Sequence, residues 1–213
     1  GAGVDRIVFS STAAVYGEPE QVPITEDSKL APTNVYGRSK LMIEKMLADY
    51  DMAYDMRYVA LRYFNAAGAS PTRDIGEDHN PESHLIPLIL KTAQGVRKQV
   101  AIFGTDYPTE DGTCIRDYIH VLDLATGHVK ALERLKKNAG LDIYNLGTGI
   151  GYSVLDVIHN FEAATGITIP FEFKPRRAGD IPVNYSNADK AWKELGWKAQ
   201  YGIKEMCEDS WRW

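Results

Sequence analysis

Tyr36 and Lys40 lie four residues apart in the stretch NVYGRSK, where a helix is predicted to begin. Side chains at positions i and i+4 share one face of a helix, so this phenol and this ammonium can reach the same small molecule. A free phenol loses its proton only near pH 10, and a neighbouring positive charge favours the ionised form. The pair can therefore transfer protons in an oxidoreductase-type site, or it can be surface decoration, and the spacing alone does not decide.

Hydroxyl groups upstream of this pair make the chemical interpretation more specific. The run RIVFSS, Arg6–Ser11, is apolar and β-branched and predicts a buried strand that presents Ser10, Ser11 and Thr12 at its carboxyl end. Open parallel sheets bind their ligands at that edge. A hydroxyl there can hydrogen-bond the same substrate oxygen that the tyrosine deprotonates.

The elements around these residues predict an α/β protein. Asn34 can cap a helix that runs to about Tyr50, with apolar positions Leu41, Met42, Met46 and Leu47, and Tyr58–Tyr63 predicts a second strand. Strand, helix and strand in this order form a parallel crossover unit. Downstream we predict helices at 85–94, 124–136, 154–165, 188–195 and 203–213, and extended segments at 100–103, 118–121, 143–146 and 171–173.

Composition excludes several classes of protein. The 213 residues carry a net charge of −5 with scattered basic residues, so no face for nucleic acid is expected. Apolar runs are far shorter than the roughly 20 residues that cross a bilayer, and the first residues do not resemble a signal peptide. The two cysteines, Cys114 and Cys207, have no CxxC spacing, which fits a reduced cytoplasmic protein. No metal site is assigned.

A glycine-rich turn for a dinucleotide is not evident in the sequence. Such a turn normally links the first strand to a helix as G-x-G-x-x-G, and nothing near Gly1 follows that pattern. The run Gly147–Gly151, GTGIG, follows a predicted strand but lacks the spacing of the third glycine. We interpret it as a tight strand-to-helix turn rather than a phosphate site, and we expect the chain to lack the front end of a doubly wound sheet.

Six stretches in order carry a family resemblance: SSTAAVYG, YGRSK, LRYFNAAGA, YPTEDGTCIRDYIHV, YNLGTG and PRRAGD. They resemble the extended short-chain dehydrogenase/reductase superfamily and, within it, the UDP-glucose 4-epimerase family. The similarity runs from Arg6 to Trp213, and what is missing is the family's amino-terminal, glycine-rich third. The resemblance implies an incomplete doubly wound, Rossmann-like parallel sheet with a smaller α/β substrate-binding region. Residues 1–65 would belong to the NAD-binding domain, which the chain would re-enter near residues 118–146. Residues 66–213 would mainly form the UDP-sugar region.

The resemblance also implies a mechanism and a cofactor, NAD. UDP-glucose and UDP-galactose would be interconverted by transient oxidation at carbon 4 of the sugar, as in galactose metabolism. Tyr36 would take the proton of the 4-hydroxyl, and Lys40 would hold the nicotinamide ribose. Thr12 would hydrogen-bond the reacting oxygen, and Phe64 would contact the cofactor. Members of the family are commonly homodimers.

The same resemblance assigns the substrate-binding residues. Arg116 and Arg177 match arginines that face the diphosphate, and a planar guanidinium suits two phosphate oxygens at once. Asp180 matches an acceptor for the ribose hydroxyls. The remaining matches are Asn65 near the phosphates, and His84, Leu85, Ala101, Ile102 and Phe103 around the uridine.

Two of these positions affect specificity. His84 stands where some members carry Asn, so it can bind the nucleotide or be structural. Asn184 occupies the position that limits the sugar pocket, where a bulky residue is associated with exclusion of N-acetylated sugars. Because Asn is small, we hypothesise that UDP-N-acetylhexosamines are also accepted.

Three other functions need to be compared with this one. A 4,6-dehydratase needs carboxylates directly after the strand-end Thr, whereas Ala13 and Ala14 follow Thr12 here, which argues against that chemistry. A 4-epimerase of another UDP-sugar, such as UDP-GlcNAc or UDP-glucuronate, stays open. So does a chain that binds UDP-sugar without holding NAD and has no activity of its own.

Overall fold

The computed structural model describes residues 3–137 and 141–213 and has strands that alternate with helices, as predicted for an α/β protein. The strands are β1 Arg6–Thr12, β2 Arg57–Tyr63, β3 Asn65–Ala67, β4 Val100–Phe103, β5 Ile115–His120, β6 Asp142–Leu146, β7 Gly151–Ser153, β8 Phe171–Lys174 and β9 Val183–Asn184. The helices are α1 Val35–Tyr54, α2 Leu85–Ala93, α3 Val121–Lys136, α4 Val154–Thr165, α5 Asp189–Leu195 and α6 Ile203–Arg212, and Ala13–Val15 forms a short 3-10 turn.

A three-stranded parallel sheet in the order β1-β2-β6 carries the predicted crossover unit. Thr12 aligns with Tyr63, and Tyr63 with Leu146, so the three carboxyl ends form one edge. Residues of β2 alternate between the faces. Tyr58 and Ala60 pack with Leu47 of α1, whereas Val59 and Leu61 pack with residues of α3, α5 and β6. The parallel crossover prediction is confirmed.

A second unit is built around β5 and a larger apolar core. Strand β5 pairs in parallel with β3 and β9 and antiparallel with β7, while β4 and β8 form a separate parallel pair. Side chains of α2, α4 and α6 close this core, among them Ile89, Phe161 and Met206, which are fully buried. In the described part of the chain, no helix combines the length and hydropathy that crossing a membrane requires.

The structure corrects several predicted boundaries. Strands β3, β7 and β9 were missed because they have only two or three residues and draw their hydrogen bonds from distant partners. Val121 begins α3 instead of ending an extended segment, because the His120 ring accepts a hydrogen bond from the Leu122 N–H and caps the helix. Helix α1 continues to Tyr54.

Two of the four predicted apolar positions of α1, Leu41 and Leu47, pack inward, and the other two do not. Leu47 is buried, but Met42 and Met46 have exposed fractions of 64% and 54%. The inward position is taken by Glu44, whose carboxylate receives two hydrogen bonds from the buried Arg62 of β2. A buried ion pair therefore sets the orientation of this helix, which hydrophobic periodicity alone could not show.

Candidate active site

A cavity of about 770 Å³ lies where the first sheet meets the second unit. Its wall brings together residues from β1, α1, α2, β4, β5 and the loop before β9, which are far apart in sequence. Twelve of the predicted site residues line it: Thr12, Tyr36, Phe64, Asn65, His84, Leu85, Ala101, Ile102, Phe103, Arg116, Arg177 and Asp180.

Tyr36 lies in the first turn of α1 and opens into this cavity. Its side chain is half exposed, and its hydroxyl donates no hydrogen bond to the described residues. The helix start is fixed by Asn34, whose side chain accepts a hydrogen bond from the Gly37 N–H at 2.7 Å. A Cβ at Gly37 would lie 2.4 Å from the Ala14 carbonyl oxygen, so only glycine lets α1 approach the turn after Thr12 this closely.

Lys40 is held between the strand end and the tyrosine. Its Nζ donates a hydrogen bond to the Ser10 carbonyl at 2.9 Å and lies 5.7 Å from the centre of the Tyr36 ring. The cavity wall does not include Lys40, so the structure places the cation behind the phenol rather than in the open space. This arrangement puts a fixed positive charge beside a solvent-accessible phenol.

The three strand-end hydroxyls have different partners. Ser11 donates a short hydrogen bond to the buried carboxylate of Glu44, and Ser10 is within 3.2 Å of the His128 ring. Thr12 Oγ1 accepts a bond from the Ala14 N–H at 3.1 Å, which leaves its own proton available to a ligand. Of the three, only Thr12 lines the cavity.

A network of buried hydrogen bonds lies next to the strand end that carries Thr12 and the helix that carries Tyr36. Arg62 donates to both carboxylate oxygens of Glu44, at 3.0 and 2.6 Å, and to the Tyr16 hydroxyl at 3.1 Å. Tyr16 in turn donates to Asn145 at 2.6 Å, and burial raises the pKa of Tyr16 to about 12. Tyr16 therefore stays protonated and serves the fold, whereas the exposed Tyr36 is the phenol that a ligand can reach.

The opposite end of the cavity carries its positive charge. The Arg177 guanidinium donates to Asp180 at 3.0 Å and lies 4.7 Å from the centre of the Phe103 ring. Arg116, on β5, donates to its neighbouring Ile115 carbonyl at 2.8 Å. Arg177 is more than half exposed, so an anion can exchange with Asp180 for its donors.

Apolar and backbone groups fill the wall between the two ends. Ile102 is fully buried in the core, so its contribution to the cavity is mainly backbone, with Ala101 and Phe103 half-buried beside it. His84 precedes α2 without a side-chain capping bond, and Leu85 is the first residue of that helix. Asn65 begins β3, directly after Phe64.

Asn184 does not line the cavity. It lies buried on β9, in register with Arg116 of β5. It therefore lies beside a cavity arginine in the same sheet without reaching the wall, which the sequence could not show because β9 was not predicted.

The GTGIG run forms a turn around a carboxylate of the protein. Asp117 accepts hydrogen bonds from the Thr148 N–H and hydroxyl and from the Gly149 N–H, at 2.7–3.1 Å. The Ser186 N–H and hydroxyl donate to the same carboxylate. Since these donors are already used, the turn is structural rather than a phosphate site. The predicted strand-to-helix connection was wrong, because the run leads from β6 into the short strand β7, which begins at Gly151.

Several cavity residues were missed by sequence reasoning. Glu77 and His79 line the wall from the loop before α2, and Cys114 lines it from the start of β5. The loop was treated as a connection because its Gly, Pro and Asp content predicts irregular structure. Its two histidines with two glutamates, at a spacing of one or two residues, were the available signal.

Comparison with known proteins agrees with this geometry. Residues 1–147 match the NAD dependent epimerase/dehydratase family. The chain is 54% identical over 213 residues to UDP-glucose 4-epimerase from Bacillus subtilis, covering 99% of this chain and 63% of the relative. It is 50% identical to UDP-glucose 4-epimerase 3 from Oryza sativa subsp. japonica, covering 99% and 58%. The chain thus spans about three fifths of the length of these relatives.

Solved structures share the fold. The UDP-glucose 4-epimerase from Stenotrophomonas maltophila with bound NAD and formylated UDP-arabinopyranose superposes with a TM-score of 0.96 at 46% identity, covering 100% of this chain and 64% of that one. The enzyme from Bifidobacterium longum in complex with NAD+ and UDP gives 0.93 at 48% identity, covering 99% and 63%. With most of its length matched by the family and its sheet, cavity and Tyr-x-x-x-Lys pair in one arrangement, the chain belongs to the NAD dependent epimerase/dehydratase family.

Proposed function

We propose that the protein interconverts UDP-glucose and UDP-galactose, the 4-epimerase reaction of galactose metabolism. The observation that best supports this proposal is a single cavity. Thr12 and Tyr36, with Lys40 nearby, lie at one end of it, and Arg116, Arg177 and Asp180 lie at the other. Relatives at about 50% identity bear the name UDP-glucose 4-epimerase, which supports the same substrate. A diphosphate held by the arginines would point its sugar toward the phenol.

Each residue at the reacting end then has a separate task. Tyr36, in its ionised form, accepts the proton of the sugar 4-hydroxyl and returns it at the end of the cycle, because its side chain is exposed and its oxygen has no other partner among the described residues. Lys40, anchored on the Ser10 carbonyl, stabilises the negative charge that forms on the phenol. Thr12 donates its free proton to the reacting oxygen.

The donor set at this end also fits the nicotinamide ribose of NAD. Lys40 offers donors at the strand edge where dinucleotides bind, and Phe64 offers an apolar contact. NAD, when bound, supplies a reversible hydride acceptor for carbon 4, with no net consumption over the cycle. Residues 1–65 are proposed to belong to the NAD-binding domain. Strand β6, in the segment 118–146 where the chain re-enters this domain, is included because it pairs with β2 in the same sheet. Residues 66–213 mainly form the UDP-sugar region.

At the nucleotide end, Arg116 and Arg177 are proposed to bind the diphosphate. On ligand binding, Arg177 would release part of its contact with Asp180, which frees that carboxylate for the ribose hydroxyls. The backbone of Ala101–Phe103 would read the uracil, with His84 and Leu85 beside it, and Asn65 would lie near the phosphates.

The sugar preference is proposed to be broad. Asn184, buried beside Arg116 on β9, is smaller than the bulky residue that the family resemblance associates with exclusion of N-acetylated sugars. A structural relative at 43% identity is named a UDP-Glc/GlcNAc 4-epimerase, from Campylobacter jejuni. Turnover of UDP-GlcNAc should therefore be measurable, and Asn184→Tyr should reduce it more than turnover of UDP-galactose. Absence of product from UDP-GlcNAc would contradict this part.

We further propose a homodimer. Helix α1 exposes an apolar face of Met42, Met46 and Tyr50, which recur at helical spacing. A second copy of the protein would cover this face. Met46→Glu should then shift the mass measured by light scattering toward that of one chain, and an unchanged mass would rule out this surface.

The cellular setting proposed is the cytoplasm. Cys114 and Cys207 are both buried and unpaired, and burial raises the pKa of Cys207 to about 12. Such thiols fit a reducing compartment.

The experiment that tests the function is absorbance and mass spectrometry of the purified protein. If NAD copurifies and its reduced form appears transiently on addition of UDP-galactose, with UDP-glucose as product, the proposal holds. If no NAD is bound while UDP still raises the melting temperature, the chain binds UDP-sugar without catalysis. If neither UDP nor NAD binds, the proposed site is wrong.

A further inference from the structure

Four metal-ligating side chains lie together on the segment between β3 and α2. Within residues 3–137 and 141–213, Glu77, His79, Glu82 and His84 place one nitrogen or oxygen atom each within 4.8 Å of all the others. The spacing is Glu-x-His-x-x-Glu-x-His. Glu77, His79 and His84 also line the cavity wall, so the cluster is open to solvent on one side.

Three of the distances between these atoms are close to those between ligands of one small ion. His79 Nδ1 lies 3.3 Å from His84 Nδ1 and 3.0 Å from Glu77 Oε1, and His84 Nδ1 lies 3.3 Å from Glu82 Oε1. A tetrahedral zinc ion with bonds of about 2.0–2.2 Å separates its ligands by about 3.3–3.6 Å. The contact of His84 Nδ1 with Glu77 Oε1, at 2.5 Å, is closer and would open on metal binding.

The negative charge of the two carboxylates in the cluster also favours a bound cation. The side chain of Glu82 is only 3% exposed, and in the described part of the chain no Lys or Arg lies within 4.0 Å of Glu77 or Glu82. Burying a carboxylate without a compensating charge is unfavourable. The N–H groups of Ser83 and His84 donate to Glu82 Oε1 at 2.7 Å and orient it toward the histidines, as outer partners do around metal ligands.

We propose that Glu77, His79, Glu82 and His84 form a binding site for a divalent transition metal, with Zn²⁺ the best match. Two imidazole nitrogens and two carboxylate oxygens suit zinc better than Mg²⁺ or Ca²⁺, which prefer oxygen alone. The ion would join residues 77–79 to 82–84 and fix this part of the cavity wall. The inference departs from the sequence analysis, which assigned no metal, and it does not depend on the proposed epimerase activity.

Titration of the purified, metal-stripped protein with Zn²⁺ and Co²⁺ tests the site. We expect one equivalent to bind, a Co²⁺ visible spectrum of the intense four-coordinate type, and a melting temperature that rises with Zn²⁺. His79→Ala and Glu77→Gln should each weaken binding about tenfold or more and remove the thermal shift. His79 is exposed, so its variant should fold normally.

His159→Ala is the matched control, because His159 is an exposed histidine on α4, outside the cluster. It should bind Zn²⁺ as the parent protein does. Three results would overturn the proposal: no saturable binding, equal weakening in His79→Ala and His159→Ala, or sulfur-to-cobalt charge-transfer bands, which would place the metal on Cys114 or Cys207. The cluster would then be held by hydrogen bonds alone.

Discussion

The two ends of the cavity are built in different ways. At the reacting end, Tyr36 and Lys40 come from one helix turn, and a buried network of Ser11, Glu44 and Arg62 fixes that helix to the sheet. At the nucleotide end, Arg116 and Arg177 come from separate segments and rest on neighbouring surface groups. The first end has buried support beneath an exposed phenol, whereas the second has arginines whose present partners an anion could replace. Chemistry needs fixed geometry, and binding of a charged ligand needs available donors.

The largest effect is expected at the reacting end of the cavity. Tyr36→Phe removes the cavity phenol that lies beside Lys40, so turnover of UDP-galactose should fall about 100- to 10,000-fold, the range for loss of a general acid–base group. UDP affinity should change little. Steady-state kinetics with UDP titration measures both.

Tyr54→Phe provides the control for this change, since Tyr54 is an exposed tyrosine at the end of the same helix. It should retain parent turnover. Retention of most activity by Tyr36→Phe would remove the proposed distinction between the two ends.

The second largest effect is expected for the buried ion pair that supports the reacting end, and it concerns the free energy of unfolding. Glu44→Gln leaves the buried Arg62 guanidinium without its carboxylate, and breaking a buried ion pair costs about 3–5 kcal/mol of the free energy of unfolding. Denaturant unfolding measures this loss. Asp49→Asn, an exposed acid on the same helix, should change stability far less. Equal losses in the two variants would mean that the network does not hold α1 in place.

A smaller effect is expected at the nucleotide end of the cavity. Arg177→Ala should weaken UDP binding about 10- to 100-fold, the scale of one or two charge-assisted hydrogen bonds, with little change in stability. Calorimetric titration with UDP measures it. The neighbouring Arg176 is the control, because it pairs with Asp106 and stacks on Tyr107, outside the cavity wall. If Arg176→Ala weakened UDP binding as much, the loss would reflect surface charge alone.

The smallest effect concerns pH. Burial lowers the pKa of His120, which lies at the carboxyl end of β5 against Asp209. The unfolded chain binds this proton below about pH 6.5, so the contribution of His120 is present above that pH and is lost as the pH falls toward its folded-state pKa. The melting temperature should therefore fall from pH 7 to 5.5.

His120→Asn should lessen that dependence, because Asn can still accept the Leu122 N–H bond without titrating. His159→Asn should keep the parent dependence. Identical pH profiles for His120→Asn and the parent would show that other groups govern acid stability.

Part of the fold was predictable because its signals are local. The capping residue Asn34, the end of α4 at Gly166 and the strands β1, β2, β4 and β6 were predicted within one or two residues. The same holds for the placement of Tyr36 and Lys40, since helical spacing alone puts them on one face.

Other features depended on partners distant in sequence. The direction of α1 is set by Arg62, which outweighs the apolar pattern that includes Met42 and Met46. The GTGIG turn has its role because Asp117, about thirty residues earlier, takes its donors. The cluster of Glu77, His79, Glu82 and His84 was missed because a loop has no periodicity from which its shape can be read.

By itself, the sequence determined the α/β class, most of the helices and strands, and the pair Tyr36 and Lys40. Only the tertiary structure decided which side chains share the cavity and that Asn184 pairs beside Arg116 without lining the cavity. The reason is physical. Local hydrogen bonding and periodicity are properties of adjacent residues, whereas burial and charge pairing depend on which distant segments come together when the chain folds.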